Sequence, residues 1–169
     1  MEKHYDFSRA EKQMQEMWEK EKIYRFDRNA GGRIYSIDTP PPTVSGSLHI
    51  GHLFSYTQAE IIARFRRMQG ENVFYPFGFD DNGLPTERLV EREEKIRAGT
   101  LPRSEFAKKC GDITEKYEAE FIELWKSLGF SADWSASYRT ISPEVQKISQ
   151  ELFLELVKTG KAYLKESPV

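Results

Sequence analysis

Cysteine and histidine are scarce: the 169 residues include one cysteine, Cys110, and three histidines. A single cysteine excludes an internal disulfide and a cysteine-cluster zinc site. It fits a reducing compartment, with Cys110 read as a buried helix residue. No apolar run reaches the length a bilayer demands. The opening residues, Met1-Glu2-Lys3-His4-Tyr5-Asp6, lack the apolar stretch of a secretory signal. A cytoplasmic protein with no membrane partner is expected. Internal repeats and low-complexity tracts are absent. So is any excess of basic charge, since 25 Lys and Arg face 27 Asp and Glu for a net charge of −2. A surface that binds a polyanion usually leaves a positive surplus, so charge alone makes no case for nucleic acid. Arg64, Arg66 and Arg67 do cluster, but at the end of a predicted helix, where the helix dipole or a solvated face accounts for them.

What is present is a globular composition, 38% apolar with 13% aromatic, enough for one core of ordinary size. The chain is organised around Thr39-Pro40-Pro41-Pro42-Thr43-Val44-Ser45-Gly46-Ser47-Leu48-His49-Ile50-Gly51-His52. An apolar run, Ile34 to Ile37, precedes it, and a periodic segment from Leu53 to Met68 follows. The order is therefore strand, tight loop, helix. Three prolines make a stiff wall that cannot extend a hydrogen-bonded ladder, and Gly46 permits a sharp turn. With a helix beginning near Ser47 or Leu48, His49 and His52 share a face of its first turn. Free backbone N–H groups and the positive dipole end gather there, which suits a phosphate. Gly51, without a side chain, would let a flat base approach the backbone. The alternative for each histidine is local capping or packing.

Asn72 to Pro76 reads as a second strand, giving a βαβ unit. The loop after it, Gly78-Phe79-Asp80-Asp81-Asn82-Gly83-Leu84-Pro85-Thr86-Glu87, should lie beside the first loop at the carboxyl ends of neighbouring strands. Asp80 or Asp81 could hold an ammonium or Mg²⁺ there. An Asp-rich turn with no function is the rival reading. Elsewhere the patterning predicts helices over 8–22, 84–97, 104–128 and from Pro143 to Gly160, capped by Ser8 in the first case and Ser142 in the last. Residues 129–134 read as a connection, with Trp134 as a packing anchor, and Ala162-Tyr163-Leu164-Lys165 as a short strand. Core faces are expected from Ile50, Leu53, Phe54, Ile61, Ile62 and Phe65 on the long helix, and from Val145, Ile148, Leu152, Phe153, Leu156 and Val157 on the last. Glu87, in the first turn of its helix, could support the site.

His49-Ile50-Gly51-His52 matches the HIGH signature of class I aminoacyl-tRNA synthetases. The proline segment before it resembles the valine-specific branch of that family, and residues 78–85 resemble its G-x-D-x-x-G-L-P segment. The resemblance implies an α/β fold: the first half of a Rossmann-like nucleotide-binding domain, with an N-terminal helix and a C-terminal helical extension. It divides the chain into 1–30, 31–98 and 99–169, the last leading to a connective editing insertion outside this chain. It implies activation of valine by ATP, with Mg²⁺ on the phosphates, and transfer to tRNA(Val). His49 and His52 would be catalytic, and His49, Gly51 and His52 would bind ATP. Pro41, Pro42 and Thr43 would line the valine pocket, and Asp80 would hold the α-amino group. The family's lysine-rich second signature has no counterpart, Lys158-Thr159-Gly160-Lys161 being the nearest basic stretch. The isolated chain is thus expected to be an amino-terminal fragment, weakly active or inactive. The rivals are an isoleucine or leucine synthetase fragment, another HxGH nucleotidyltransferase, and a non-catalytic module.

Overall fold

The computed structural model describes residues 5–166. Met1 to His4, part of the opening stretch considered above, and the terminal Ser167-Pro168-Val169 lie outside the described residues. The elements run α1 (Phe7–Glu21), β1 (Ile34–Ser36), α2 (Ile50–Met68), β2 (Asn72–Phe74), β3 (Pro76–Phe79), α3 (Leu84–Glu94), α4 (Arg103–Ser127), β4 (Asp133–Arg139) and α5 (Pro143–Lys158). A short 3₁₀ turn, Ala98–Thr100, separates α3 from α4.

β1 and β2 pair in parallel around α2, which is the expected βαβ unit. Only Tyr75 separates β2 from β3, and there the chain changes partner: β3 pairs in parallel with β4. The change falls at Pro76, which has no N–H to continue a ladder. The predicted connection over 129–134 ends inside β4, and the strand continues through residues to which the patterning assigns no element. Its partners on β3 run from Pro76↔Asp133 to Gly78↔Tyr138, so extra residues bulge out of β4 between those pairs.

The main core lies where α2, α4 and the strands meet. Trp125, Tyr75, Phe77 and Phe79 are among its fully buried side chains. Burial of each large apolar side chain contributes about 1.5–3 kcal/mol. The rings of Trp125 lie 4.6 Å from Phe130 and 5.2 Å from Tyr56, within the range of favourable tilted aromatic pairs. Trp134 packs on Phe77 at 5.2 Å, as a packing anchor should. A second cluster, Leu89, Val90, Phe106 and Ile113, joins α3 to α4, with half-buried Cys110 beside it rather than fully enclosed.

Two predicted core faces are not core. α2 buries Tyr56, Glu60 and Ala63, whereas Ile50, Phe54, Ile61, Ile62 and Phe65 are exposed and only Leu53 packs against the core. α5 buries none of its side chains; Ile148, Leu152, Phe153, Leu156 and Val157 face outward, and Val145 is half-buried. Periodicity shows that a helix has an apolar stripe, not what covers it. Smaller corrections concern ends. Asp6 rather than Ser8 caps α1, accepting from the Arg9 N–H at 3.1 Å. α3 stops at Glu94, with Lys95 in the left-handed region. Residues 162–165 form no strand. Ser142 caps α5 as expected, accepting from the Val145 N–H, and α4 continues unbroken through Gly111.

The arginine cluster of α2 is not a solvated face. Arg64 bonds Glu60 at 2.6 Å, donates to the Gly129 carbonyl and lies over Trp18 and Tyr24. Arg67 donates to the Ser131 carbonyl at 2.7 Å, and Arg66 covers the Tyr35 ring at 4.3 Å. Together they fasten α2 to β1, to the segment after α1 and to the turn before β4. Among the described residues no helix is long and apolar enough to cross a membrane.

Candidate active site

The loop after β1 does not hang free. Asp80 donates its N–H to the Pro42 carbonyl at 3.0 Å, and the Val44 N–H donates to the Asp80 carbonyl at 2.8 Å. These bonds make a parallel bridge between Thr43 and Asp80. Pro42 and Val44 are buried, Pro41 and Thr43 half-buried. From α3, the buried Thr86 hydroxyl donates to the Val44 carbonyl at 2.9 Å. From α2, the Tyr56 hydroxyl donates to the Pro40 carbonyl. Three of the sequence-predicted site residues, Pro42, Thr43 and Asp80, therefore share one stretch of backbone pairing, with Pro41 just before it and Thr86 as its α3 anchor. Glu87 is exposed and takes no part in it.

Past Val44, Gly46 turns the chain at a φ of 135°, a conformation open to glycine and strained for other residues. α2 begins at Ile50, later than the spacing suggested, and His49 is its N-cap. The two histidines cap the helix reciprocally. His49 Nδ1 accepts from the Gly51 N–H at 3.1 Å, and His52 Nδ1 accepts from the His49 N–H at 3.2 Å. A neutral imidazole that accepts at Nδ1 carries its proton at Nε2. Capping and ligand binding are thus compatible: the backbone uses one nitrogen of each ring and leaves the Nε2–H as a donor at the positive end of α2. The ring centroids lie 4.0 Å apart. Partial burial, and then the neighbouring His49, push the pKa of His52 below its ordinary value, which favours the neutral, capping form. Gly51 acquires a further role, because a Cβ there would lie 2.9 Å from His49 Cε1 and 3.0 Å from its Nδ1. Its missing side chain makes room for the capping imidazole.

The two aspartates differ sharply. Asp80 is half-buried. Its Oδ2 accepts from the Thr43 hydroxyl at 3.2 Å and its Oδ1 from the Thr140 hydroxyl at 3.1 Å. Asp81 is buried, and its carboxylate is taken up by Arg139, with Nε at 3.1 Å from Oδ2. Beside them lies Glu118 of α4, Oε1 at 2.9 Å from Arg139 Nε. Burial, then a hydrogen bond to Asp81 and the charge of that carboxylate, push the Glu118 pKa up to about 8. Asp81 is therefore committed to the interior, and Asp80 is the carboxylate that can face a ligand. Arg139, Thr140 and Glu118 were not singled out in the sequence. A separate cleft of about 440 Å³ lies between α1 and the start of β4, lined by Trp18, Tyr24, Lys126, Phe130 and Trp134 among others; none of the predicted site residues lines it. Among the described residues no group of three or more His, Cys, Asp or Glu side chains could hold a metal ion.

A parallel βαβ unit with a glycine turn into a helix N-terminus places the chain in the Rossmann-like class of α/β folds. The family model described as tRNA synthetases class I (I, L, M and V) matches residues 13–169, and the chain belongs to that family. The valine–tRNA ligase of Rickettsia felis is 52% identical over 168 residues, covering 99% of this chain and 20% of that protein. The valine–tRNA ligase of Rickettsia prowazekii is also 52% identical, over 99% of this chain and 21% of that protein. The crystal structure of the ternary complex of Agrobacterium radiobacter K84 agnB2 LeuRS-tRNA-LeuAMS matches with a TM-score of 0.74 at 28% identity, covering 93% of this chain and 18% of that one. The chain spans about a fifth of the length of the relatives it matches.

Proposed function

We propose that this chain carries the ATP and valine subsites of a valine–tRNA ligase. The observation that carries the reading is the pair of Nδ1-bonded histidines capping α2. It presents two Nε2–H donors where backbone N–H groups and the helix dipole already favour phosphate oxygens. Activation joins the valine carboxylate to the α-phosphorus of ATP and expels pyrophosphate. The step needs no covalent enzyme intermediate, so catalysis is positioning and charge stabilisation. His49 and His52 donate to phosphate oxygens as negative charge develops. Gly51 leaves the first turn open for the adenine while seating His49. Pro41, Pro42 and Thr43 line the valine side-chain pocket, and Asp80 accepts from the α-ammonium. Mg²⁺ enters on the ATP phosphates as part of the substrate.

Valine as the amino acid rests on the half-identical relatives named valine–tRNA ligase. Transfer to tRNA(Val) belongs to the whole enzyme, in the cytoplasm. Within it, residues 31–98 form the first half of the catalytic domain, 1–30 a helical entry segment and 99–169 the extension towards the editing insertion. The isolated chain binds ATP weakly and charges tRNA poorly or not at all. The test is valine-dependent exchange of pyrophosphate into ATP, by the chain alone and with the remaining length of a valine–tRNA ligase supplied in trans. Exchange that needs the added portion and disappears in His49→Ala is expected. Equal stimulation by isoleucine or leucine, or full exchange by His49→Ala, would overturn the reading.

A further inference from the structure

Asp80 is held from two sides by hydroxyls, and the two are not equivalent. Thr43 belongs to the loop after β1 and contributes one bond, to Oδ2 at 3.2 Å. Thr140 follows β4, where its N–H donates to the Phe79 carbonyl at 3.0 Å, fixing its backbone against the end of β3. Its hydroxyl accepts from the Asp81 N–H at 3.1 Å and from Asn82 Nδ2 at 3.2 Å. A hydroxyl has two acceptor positions and one proton. With both acceptor positions filled, the proton has one direction left, and Asp80 Oδ1 lies along it at 3.1 Å. The Thr140 rotor is therefore locked as a donor to Asp80, whereas nothing of the kind restrains Thr43.

A carboxylate offers about four lone-pair sites. The two hydroxyls occupy one on each oxygen, which fixes the carboxylate plane and leaves the others for a ligand that only donates. A primary ammonium is such a ligand. We infer that Thr140 is a positioning residue, holding Asp80 in the orientation that receives the α-ammonium of the amino-acid substrate. This rests on the reading of Asp80 as the amino-group acceptor, and the experiment separates the two.

The readout is selectivity for L-valine over 3-methylbutanoate, the same molecule without its amino group, measured by ligand-observed NMR titration of the full chain. A variant that merely loosens the fold weakens both ligands together and leaves their ratio unchanged. Wild type should prefer L-valine, and Asp80→Asn should lose that preference. Thr140→Val, which keeps the shape and removes the hydroxyl, should reduce the preference about tenfold, as expected when a hydrogen bond to a charged group is lost. Thr140→Ser should restore it. A wild type without preference, or an Asp80→Asn variant that retains it, would sink the Asp80 reading and the role of Thr140 with it. If Asp80→Asn loses the preference while Thr140→Val keeps it, or if Thr140→Val weakens both ligands equally, Thr140 is structural only.

Discussion

Glu118→Gln should raise stability above neutral pH and leave it nearly unchanged in acid. Arg139 is the single guanidinium between two enclosed carboxyls, with Nε at 3.1 Å from Asp81 Oδ2 and 2.9 Å from Glu118 Oε1. Its other nitrogens are engaged by Glu115 and Thr114 of α4, at 3.0 and 3.1 Å. Were Asp81 and Glu118 both ionised, one buried negative charge would go uncompensated, which is costly. Asp81 Oδ1 and Glu118 Oε1 are both buried and receive no ordinary hydrogen bond. A proton on Glu118 resolves this by donating to Asp81; burial first, then that hydrogen bond and the charge of Asp81, push the Glu118 pKa up to about 8. Because the folded pKa lies above the ordinary 4.5, the contribution is fully present below about 4.5 and is lost as pH rises to about 8. The slope in that window is at most about 1.4 kcal/mol per pH unit. The nearby Arg139 and residual solvent contact lower it, so a total on the order of a few kcal/mol is the ceiling. A glutamine donates as the protonated acid does and does not titrate. Urea unfolding at pH 5, 6, 7 and 8 should show Glu118→Gln gaining on the wild type at each step, then levelling off. Parallel pH profiles for the two proteins would refute a shared proton at this site.

Gly51→Ala should separate stability from binding. Alanine improves helix propensity by about 1 kcal/mol, while displacing the His49 imidazole costs a cap of similar size, so the melting temperature should scarcely move. ATP affinity should fall severalfold by equilibrium dialysis, and unchanged affinity would show that the His49 ring tolerates displacement. Gly78→Ala acts on the fold instead, because its Cβ would overlap the Tyr138 ring that covers this position of β3. A loss of about 1–3 kcal/mol in urea unfolding is expected. Gly78→Ala combined with Tyr138→Ala should lose less than the sum of the single changes, and strict additivity would exclude the steric account.

The geometry of the stretch from β1 into α2 was legible because its signals are local. A proline wall, a glycine needing positive φ and two histidines one helical turn apart specify strand, turn and helix N-terminus without reference to the rest of the chain. The spans of α4 and α5 were legible for the same reason, with 3.6-residue periodicity and, for α5, a serine cap followed by proline. Burial was legible on α4, where Phe106, Ile113, Phe121 and Trp125 of the apolar stripe are buried, but not on α2 and α5. On α2 the core-facing positions are Tyr56, Glu60 and Ala63, and Glu60 is buried because it accepts from the Ser131 N–H and from Arg64. The more apolar Ile61, Ile62 and Phe65 remain outside. No rule of hydropathy ranks a glutamate above an isoleucine for the interior; only the arrival of the turn before β4 does.

That same late segment decides which aspartate can serve the site. Asp80 and Asp81 are adjacent and chemically identical in the sequence, so residue type and spacing cannot choose between them. The choice is made by β4, which places Arg139 on Asp81 and Thr140 on Asp80. Cation and hydroxyl on successive residues give one carboxylate to the interior and leave the other oriented and accessible. A period-two signal was present in β4, where Trp134, Ala136 and Tyr138 alternate with Ser135 and Ser137, but aspartate is depleted in strands and both serine and aspartate are common in turns. The strand forms nonetheless because β3 presents an unfilled parallel edge to it. Its last residue, Arg139, and Thr140 just after it then turn an ambiguous Asp-Asp pair into two side chains with different partners.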